Sequence, residues 1–166
     1  MADLYITWDE YHRLIERLAR QVDQSGWQFN QLICIARGGL RVGDVLSRIY
    51  DMPLAILSTS SYKEKAGTIR GELMIAEQMT MASGKLGERV LLVDDLVDSG
   101  VTLEAVTRTL PQRYPQVTAL RTAGIWYKAC SVFKPDYFVD YLPESPWIHQ
   151  PFEKYDSMRP KDIPAD

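Results

Sequence analysis

An α/β fold, with a central, mostly parallel sheet flanked by helices, is predicted by three features of this 166-residue chain. Leu32-Ile33-Cys34-Ile35-Ala36 and Val90-Leu91-Leu92-Val93 are unbroken apolar runs, as strands covered on both faces require. Each runs into a turn of glycine or small polar residues and then an amphipathic stretch of helical period, which predicts strand–helix–strand units. The 46% hydrophobic content suffices for one substantial core, so residues 1–166 are expected to form a single domain.

Thr7 or Asp9 is suited to cap a first helix running to about Val22, where Tyr11, Leu14, Ile15, Leu18 and Val22 make an apolar stripe at i, i+3, i+4 spacing. Gly26 ends that helix, and Leu32–Ala36 is the first central strand. Arg37-Gly38-Gly39 follows at once, then a second helix from about Leu40 to Tyr50 and, past Pro53, a strand over Leu54–Leu57. From Ser58 to about Leu86 the chain is polar and broken by glycine, with residues 60–67 the most mobile part and a hairpin within Ile69–Met81. A loop of that length in a compact domain is usually functional or disordered. The next strand starts at Arg89 or Val90, its helix spans Leu103 to about Tyr114, and a further strand covers Val117–Ala123. A short strand over Tyr137–Asp140 and a Pro-rich, aromatic tail over Pro143–Phe152 follow.

The chemistry concentrates in Asp94-Asp95-Leu96-Val97-Asp98-Ser99-Gly100-Val101-Thr102, between the second central strand and its helix. The carboxyl end of a strand in an open α/β sheet is the usual ligand position. Ser99, Gly100, Val101 and Thr102 offer backbone N–H groups and two hydroxyls to a phosphate at the positive end of the helix. Asp94 and Asp95 repel that phosphate and suit ribose hydroxyls, a hydrated divalent cation or a proton in transit. The pattern therefore fits a substrate with a phosphate, a diol and a metal-bound diphosphate. Asp94-Asp95-Leu96-Val97-Asp98 also reads as the DDxxD magnesium clamp of isoprenyl diphosphate synthases, but that clamp needs a helix to bring its first and fifth residues onto one face. Here a β-branched apolar run precedes the segment and Gly100 interrupts it within two residues.

Composition excludes other classes. With 19 basic and 22 acidic residues the formal charge is −3, which argues against a nucleic-acid or anionic-membrane partner and leaves room only for a small, focused polyanion site. No apolar run approaches the roughly 18 residues of a membrane span. The first residues lack a basic region followed by an apolar signal core, so a cytoplasmic location is expected. Cys34 and Cys130 show no metal or redox spacing, and His12 and His149 are far apart with no acidic partner at ligand spacing, so any divalent metal is expected to arrive with the substrate.

Val90–Thr102 resembles the 13-residue phosphoribosyl pyrophosphate signature of the type I phosphoribosyltransferases, with Ser99 where many members have Thr. The resemblance spans about Tyr5 to Phe152 and implies that family's fold, with a flexible lid at about 58–86 and a small C-terminal hood at about 125–155. It implies that Asp94, Asp95, Asp98, Ser99, Gly100, Val101 and Thr102 bind the donor, with Asp95 on the side of a Mg2+ ion and Asp98 as the catalytic residue, placed for a proton on purine N7.

Arg37-Gly38-Gly39 is similar to the Arg-Gly-Gly of the bacterial xanthine–guanine enzymes. That similarity makes Arg37 and Gly38, with Arg70, the diphosphate-binding residues, and places a non-proline cis bond at Arg37–Gly38. Ser61-Tyr62 matches the lid pair. Lys128 resembles the purine-recognising lysine, with Lys134 as competitor, and Trp147-Ile148 resembles the stacking aromatic and the apolar residue whose backbone meets the purine edge. An ammonium only donates, so a lysine there selects a 6-oxopurine over adenine.

The implied function is purine salvage: transfer of 5-phosphoribosyl from its pyrophosphate donor to hypoxanthine or guanine by a Mg-dependent enzyme. His149 stands where the xanthine–guanine enzymes have an acidic residue, which leaves xanthine use open. The alternatives are a non-catalytic regulatory protein that senses the donor or a nucleotide on the same fold, and a phosphoribosyltransferase with a non-purine acceptor. Relatives of this kind are commonly homo-oligomers, dimers or tetramers.

Overall fold

The computed structural model describes residues 2–61 and 72–165. Its elements run β1 (Leu4–Tyr5), α1 (Trp8–Gln24), β2 (Gln31–Ala36), α2 (Leu40–Tyr50), β3 (Leu54–Ser61), β4 (Leu73–Ile75), β5 (Arg89–Val93), β6 (Leu96–Val97), α3 (Val101–Arg113), β7 (Ala119–Lys128), β8 (Tyr137–Leu142), β9 (Ile148–His149) and α4 (Lys154–Ser157), before a 3-10 turn at Pro160–Asp162. Among the described residues no helix is long and apolar enough to cross a membrane.

The main sheet has the order β4-β3-β2-β5-β7-β6, with β8 also on β7. Every pairing in it is parallel except β3 with β4. The central strands are buried on both faces. Leu32, Cys34, Leu91 and Val93 pack on one side with Tyr11, Leu14, Ile15, Leu18 and Val22 of α1 and Val42 and Leu46 of α2. Ile33, Ile35, Val90 and Leu92 pack on the other with Leu103, Val106 and Leu110 of α3. Alternate side chains of one strand thus serve two cores, which is why no polar residue interrupts the runs.

Helix α1 keeps its expected stripe, and its start is set by Thr7, whose Oγ1 accepts from Glu10 N–H while Glu10 accepts from Thr7 N–H. Three expectations shift. The hairpin within 69–81 forms instead between β3, which runs on from Leu57 to Ser61, and β4, in the register Thr59 opposite Ile75, with an isolated bridge from Ile56 to Thr80. Both ends of the anticipated loop are therefore pinned to the sheet edge. Strand β7 begins two residues later than expected and runs five further, to Lys128, because β6 and β8 supply partners on its far half. Within the aromatic tail, β9 pairs in parallel with β1 in a separate two-stranded sheet, which fastens the tail to the start of the chain.

Candidate active site

Helices α2 and α3 leave the neighbouring strands β2 and β5 toward opposite faces of the sheet. That divergence opens a crevice at the carboxyl ends of the two strands, the switch point where α/β sheets hold ligands. Arg37-Gly38-Gly39 lines one side and Asp94-Asp95 the other. The two touch: a Cβ built on Gly38 would lie 2.8 Å from Asp95 Cγ, and one on Gly39 would lie 2.8 Å from Val93 O. Only residues without a side chain allow this loop to sit on the acidic pair.

Asp95 is the more deeply held of the two acids. It is 8% exposed, its Oδ1 accepts from Leu96 N–H at 2.7 Å, and its Oδ2 accepts from Gln150 Nε2 at 2.8 Å. Asp94 is half-buried, and its Oδ1 accepts from Asp95 N–H at 2.9 Å. Burial pushes the Asp94 carboxyl well above the usual carboxylate range, and the negative charge of Asp95 pushes it further.

The turn expected to hold an anion, Ser99 to Thr102, follows β6. Gly100 takes φ +78° as the residue before α3 and has no side chain to cap it, and Val101 N–H makes only a long bond of 3.4 Å to Ser99 Oγ, so the start of the helix keeps donors for a ligand. Ser99 is exposed and Thr102 half-buried. The turn is held from behind, because Val132 N–H donates to Ser99 O at 2.9 Å and a Cβ on Gly100 would lie 2.8 Å from Phe133 N. The segment from Asp94 to Gly100 is not helical, which removes the isoprenyl-diphosphate clamp as a reading.

Long β7 carries Lys128 to the same end of the sheet. Its ammonium, on a side chain 5% exposed, stands 3.3 Å from Asp98 Oδ1 and 5.9 Å from the centre of the Trp147 ring. Lys134 is exposed, with its ammonium over Phe138, so Lys128 is the lysine at Asp98. Trp147 is 59% exposed, whereas the Ile148 side chain is buried. In β9 the carbonyls of Trp147 and His149 accept from Leu4 and Ile6 of the N-terminal segment, so strand alternation turns the backbone groups of Ile148 toward the opposite edge. Asp94, Asp95, Asp98, the anion turn, Lys128 and the tail strand are thus brought to one end of the sheet.

A family model described as "Phosphoribosyl transferase domain" matches residues 7–157. The chain belongs to the phosphoribosyltransferase family. Curated proteins named xanthine-guanine phosphoribosyltransferase are similar to it: that of Gluconobacter oxydans is 31% identical over 151 residues, covering 89% of this chain and 83% of its own. That of Idiomarina loihiensis is 28% identical over 154 residues, covering 92% and 88%. Among solved structures, a purine phosphoribosyltransferase from Pyrococcus horikoshii matches with a TM-score of 0.74 at 30% identity, over 92% of this chain and 95% of its own.

In this phosphoribosyltransferase the non-proline cis bond lies at Ala36–Arg37, one residue before the expected Arg37–Gly38. The Arg37 guanidinium is exposed and 3.6 Å from Asp156 of α4, beside a cavity of about 300 Å³ bounded by Gly38, Arg41, Phe152 and Tyr155. Ser61 closes β3. Tyr62 and Arg70 lie outside the described residues.

The phosphoribosyltransferase's acidic pair fits a magnesium ion of one kind only. Carboxylate oxygens are the hard donors Mg2+ prefers. Among the described residues, however, no three His, Cys, Asp or Glu side chains gather into a cage, and both Asp95 oxygens already accept protein hydrogen bonds. The pair suits a cation that brings diphosphate oxygens and water as most of its ligands.

Three contacts at this site escape a reading of the sequence, although Gln150 stands in the same Trp147-Ile148-x-Gln150-Pro151 run that resembles the family's base-stacking segment. Gln150 bonds Asp95, the Arg41 guanidinium lies 4.3 Å from the centre of the Phe152 ring, and Cys130 Sγ donates to Asp98 O at 3.5 Å. Only Gln150 carries a signal: two residues after Ile148 it occupies an inward position, where a polar side chain needs a partner.

Proposed function

We propose that the protein transfers a 5-phosphoribosyl group from magnesium-bound phosphoribosyl pyrophosphate to N9 of a 6-oxopurine, hypoxanthine or guanine, and releases pyrophosphate in purine salvage. The observation that carries this reading is the buried Lys128 ammonium between the Asp98 carboxylate and the exposed Trp147 ring. A flat base resting on Trp147 would meet a donor-only cation at its 6-substituent and a carboxylate at its N7 edge. A 6-oxo group suits that cation, whereas the 6-amino group of adenine sets donor against donor. The inward edge of β9 leaves Ile148 N–H and C=O for the rest of the purine rim.

In this reading Ser99, Gly100, Val101 and Thr102 hold the 5-phosphate, and Asp94 and Asp95 orient the ribose diol, with Asp95 toward the metal. Arg37, Gly38 and Arg70 hold the leaving diphosphate. The donor's magnesium would neutralise part of that charge. As the C1–O bond breaks, negative charge grows on the diphosphate, so donors aimed there act mainly in the transition state. N9 then forms its bond to C1 with inversion, and Asp98 takes the N7 proton. Ser61 and Tyr62 belong to the lid, whose closure keeps water from the oxocarbenium-like centre.

The test is direct. Protein, Mg2+ and the donor are mixed with adenine, hypoxanthine, guanine or xanthine, and nucleoside monophosphate is followed by chromatography. Product from hypoxanthine or guanine and none from adenine is the expected result. Product from adenine, or from no base at all, overturns the reading.

A further inference from the structure

We infer that Gln150 is a positioning residue that holds the Asp95 carboxylate in the orientation in which the activated-ribose donor meets it. The inference rests on the phosphoribosyl-transfer reading above. Three groups fix this carboxylate, two of them from segments distant in sequence. Leu96 N–H ties Oδ1 from the β5–β6 turn, Gln150 Nε2 ties Oδ2 from the tail, and Gly38 presses on Cγ from the loop after β2. The bond from Gln150 is buried, and both residues are 8% exposed. An amide donates a hydrogen bond without adding a positive charge that would compete with the magnesium ion for the carboxylate.

The other end of the same amide shows which task it serves. Gln150 Oε1 is buried and has no hydrogen-bond partner among the described residues, and neither does Tyr11 Oη beneath the acidic pair. The hydrogen bond that this side chain does make is the one to Asp95. Here the orientation of the amide follows from Asp95 alone, because the flipped amide would set Oε1 against Oδ2, acceptor against acceptor. Tyr11 stands close enough for the Asp95 charge to add to the effect of burial in raising its phenol above the ordinary tyrosine range. A carboxylate oriented before the ligand arrives loses less freedom when it binds, so the benefit falls on the donor and not on the base.

The test is a double-mutant cycle on the full chain, read by calorimetric binding of phosphoribosyl pyrophosphate with Mg2+ and by steady-state kinetics. Gln150→Met keeps the length of the side chain and removes the donor. It is expected to raise the donor's Kd and KM about tenfold, as loss of a hydrogen bond to a charged group does. The KM of the purine should stay within about twofold, and the penalty should vanish in an Asp95→Asn background. A persisting penalty in that background, or equal rises in both KM values, overturns the inference.

Should Gln150→Met not fold, the wild-type Gln150 side-chain amide resonance provides the measurement. It should shift on addition of donor and not on addition of base, and the opposite pattern counts against the role. A wild type that binds no donor would sink the parent reading, and this one with it. Normal donor binding by both wild type and Gln150→Met sinks only this one.

Discussion

Lys128 Nζ and Asp98 Oδ1 stand 3.3 Å apart, the ammonium on a buried side chain and the carboxylate half exposed to solvent. The pair is a buried cation neutralised from its solvent side, so a molecule approaching Asp98 from the crevice meets an ion pair and not a free acid. Removing one partner of such a pair leaves the other poorly compensated. In the proposed reaction Asp98 would serve both as the proton acceptor and as the counter-ion that sets Lys128.

Asp98→Asn keeps the shape of the side chain and removes the base. Turnover is expected to fall by about 10² to 10⁴-fold, the usual contribution of a positioned general base. Donor binding, measured by calorimetry, should fall far less than turnover, because Ser99, Gly100, Val101 and Thr102 are untouched. Unchanged turnover would remove Asp98 from the catalytic role.

Trp147→Ala strips an exposed ring that few protein contacts hold, so its cost to stability is expected to be small. Stacking of a base on an aromatic ring is worth about 1 to 3 kcal/mol, which predicts a rise of roughly tenfold or more in the nucleobase KM with little effect on the donor's. A larger effect on the donor KM would contradict the stacking role.

Gly38→Ala tests the close approach of the Arg37-Gly38-Gly39 loop, proposed to hold the diphosphate, to the acidic pair. The new methyl would lie 2.8 Å from Asp95 Cγ, so either the carboxylate or the loop must move. Donor KM should rise about tenfold, since displacement of a binding group by a fraction of an ångström is costly. Thermal stability should fall by about 1 to 3 kcal/mol, as for other overpacked sites. Wild-type donor affinity in this variant would show that the loop does not need to sit where it does.

Asp94 carries the clearest pH dependence. Its folded pKa is raised by burial and by Asp95, so between the ordinary Asp value and the raised one the folded state binds more protons than the unfolded state. Stability from this group is fully present below the unfolded pKa and is lost as pH rises through the folded one. Asp94→Asn, without divalent cation, should therefore raise the melting temperature at neutral pH and give no gain at or below pH about 4. Each 1 kcal/mol relieved corresponds to about 2 to 4 °C in a domain of this size. A variant that melts lower than wild type at neutral pH would contradict the assigned shift.

The strands β2 and β5 and helices α1 and α2 are legible in the sequence because their apolar patterns are long and each is read within one segment. The position of Asp94-Asp95 and of the Ser99–Thr102 turn is legible because spacing places them where a strand gives way to a helix. Two-residue strands such as β1, β6 and β9 have no period to read and exist only because a partner passes beside them. The hairpin expected within Ile69–Met81 gives way for the same reason: β4 pairs with β3, and the register of Thr59 on Ile75 is a contact between segments, not a property of either.

Chemical identity at this site was determined by the sequence alone: which residues are acidic, which turn lacks side chains, which lysine and tryptophan are available to a base. The tertiary structure decided which of them meet. It chose Lys128 over Lys134, set Gly38 against Asp95, moved the cis bond to Ala36–Arg37, and brought Gln150 from the tail to a carboxylate 55 residues earlier. The physical reason is range. Periodicity and turn preference act over a few neighbours, whereas the direction of a buried carboxylate depends on donors delivered by strands that become adjacent only when the sheet assembles.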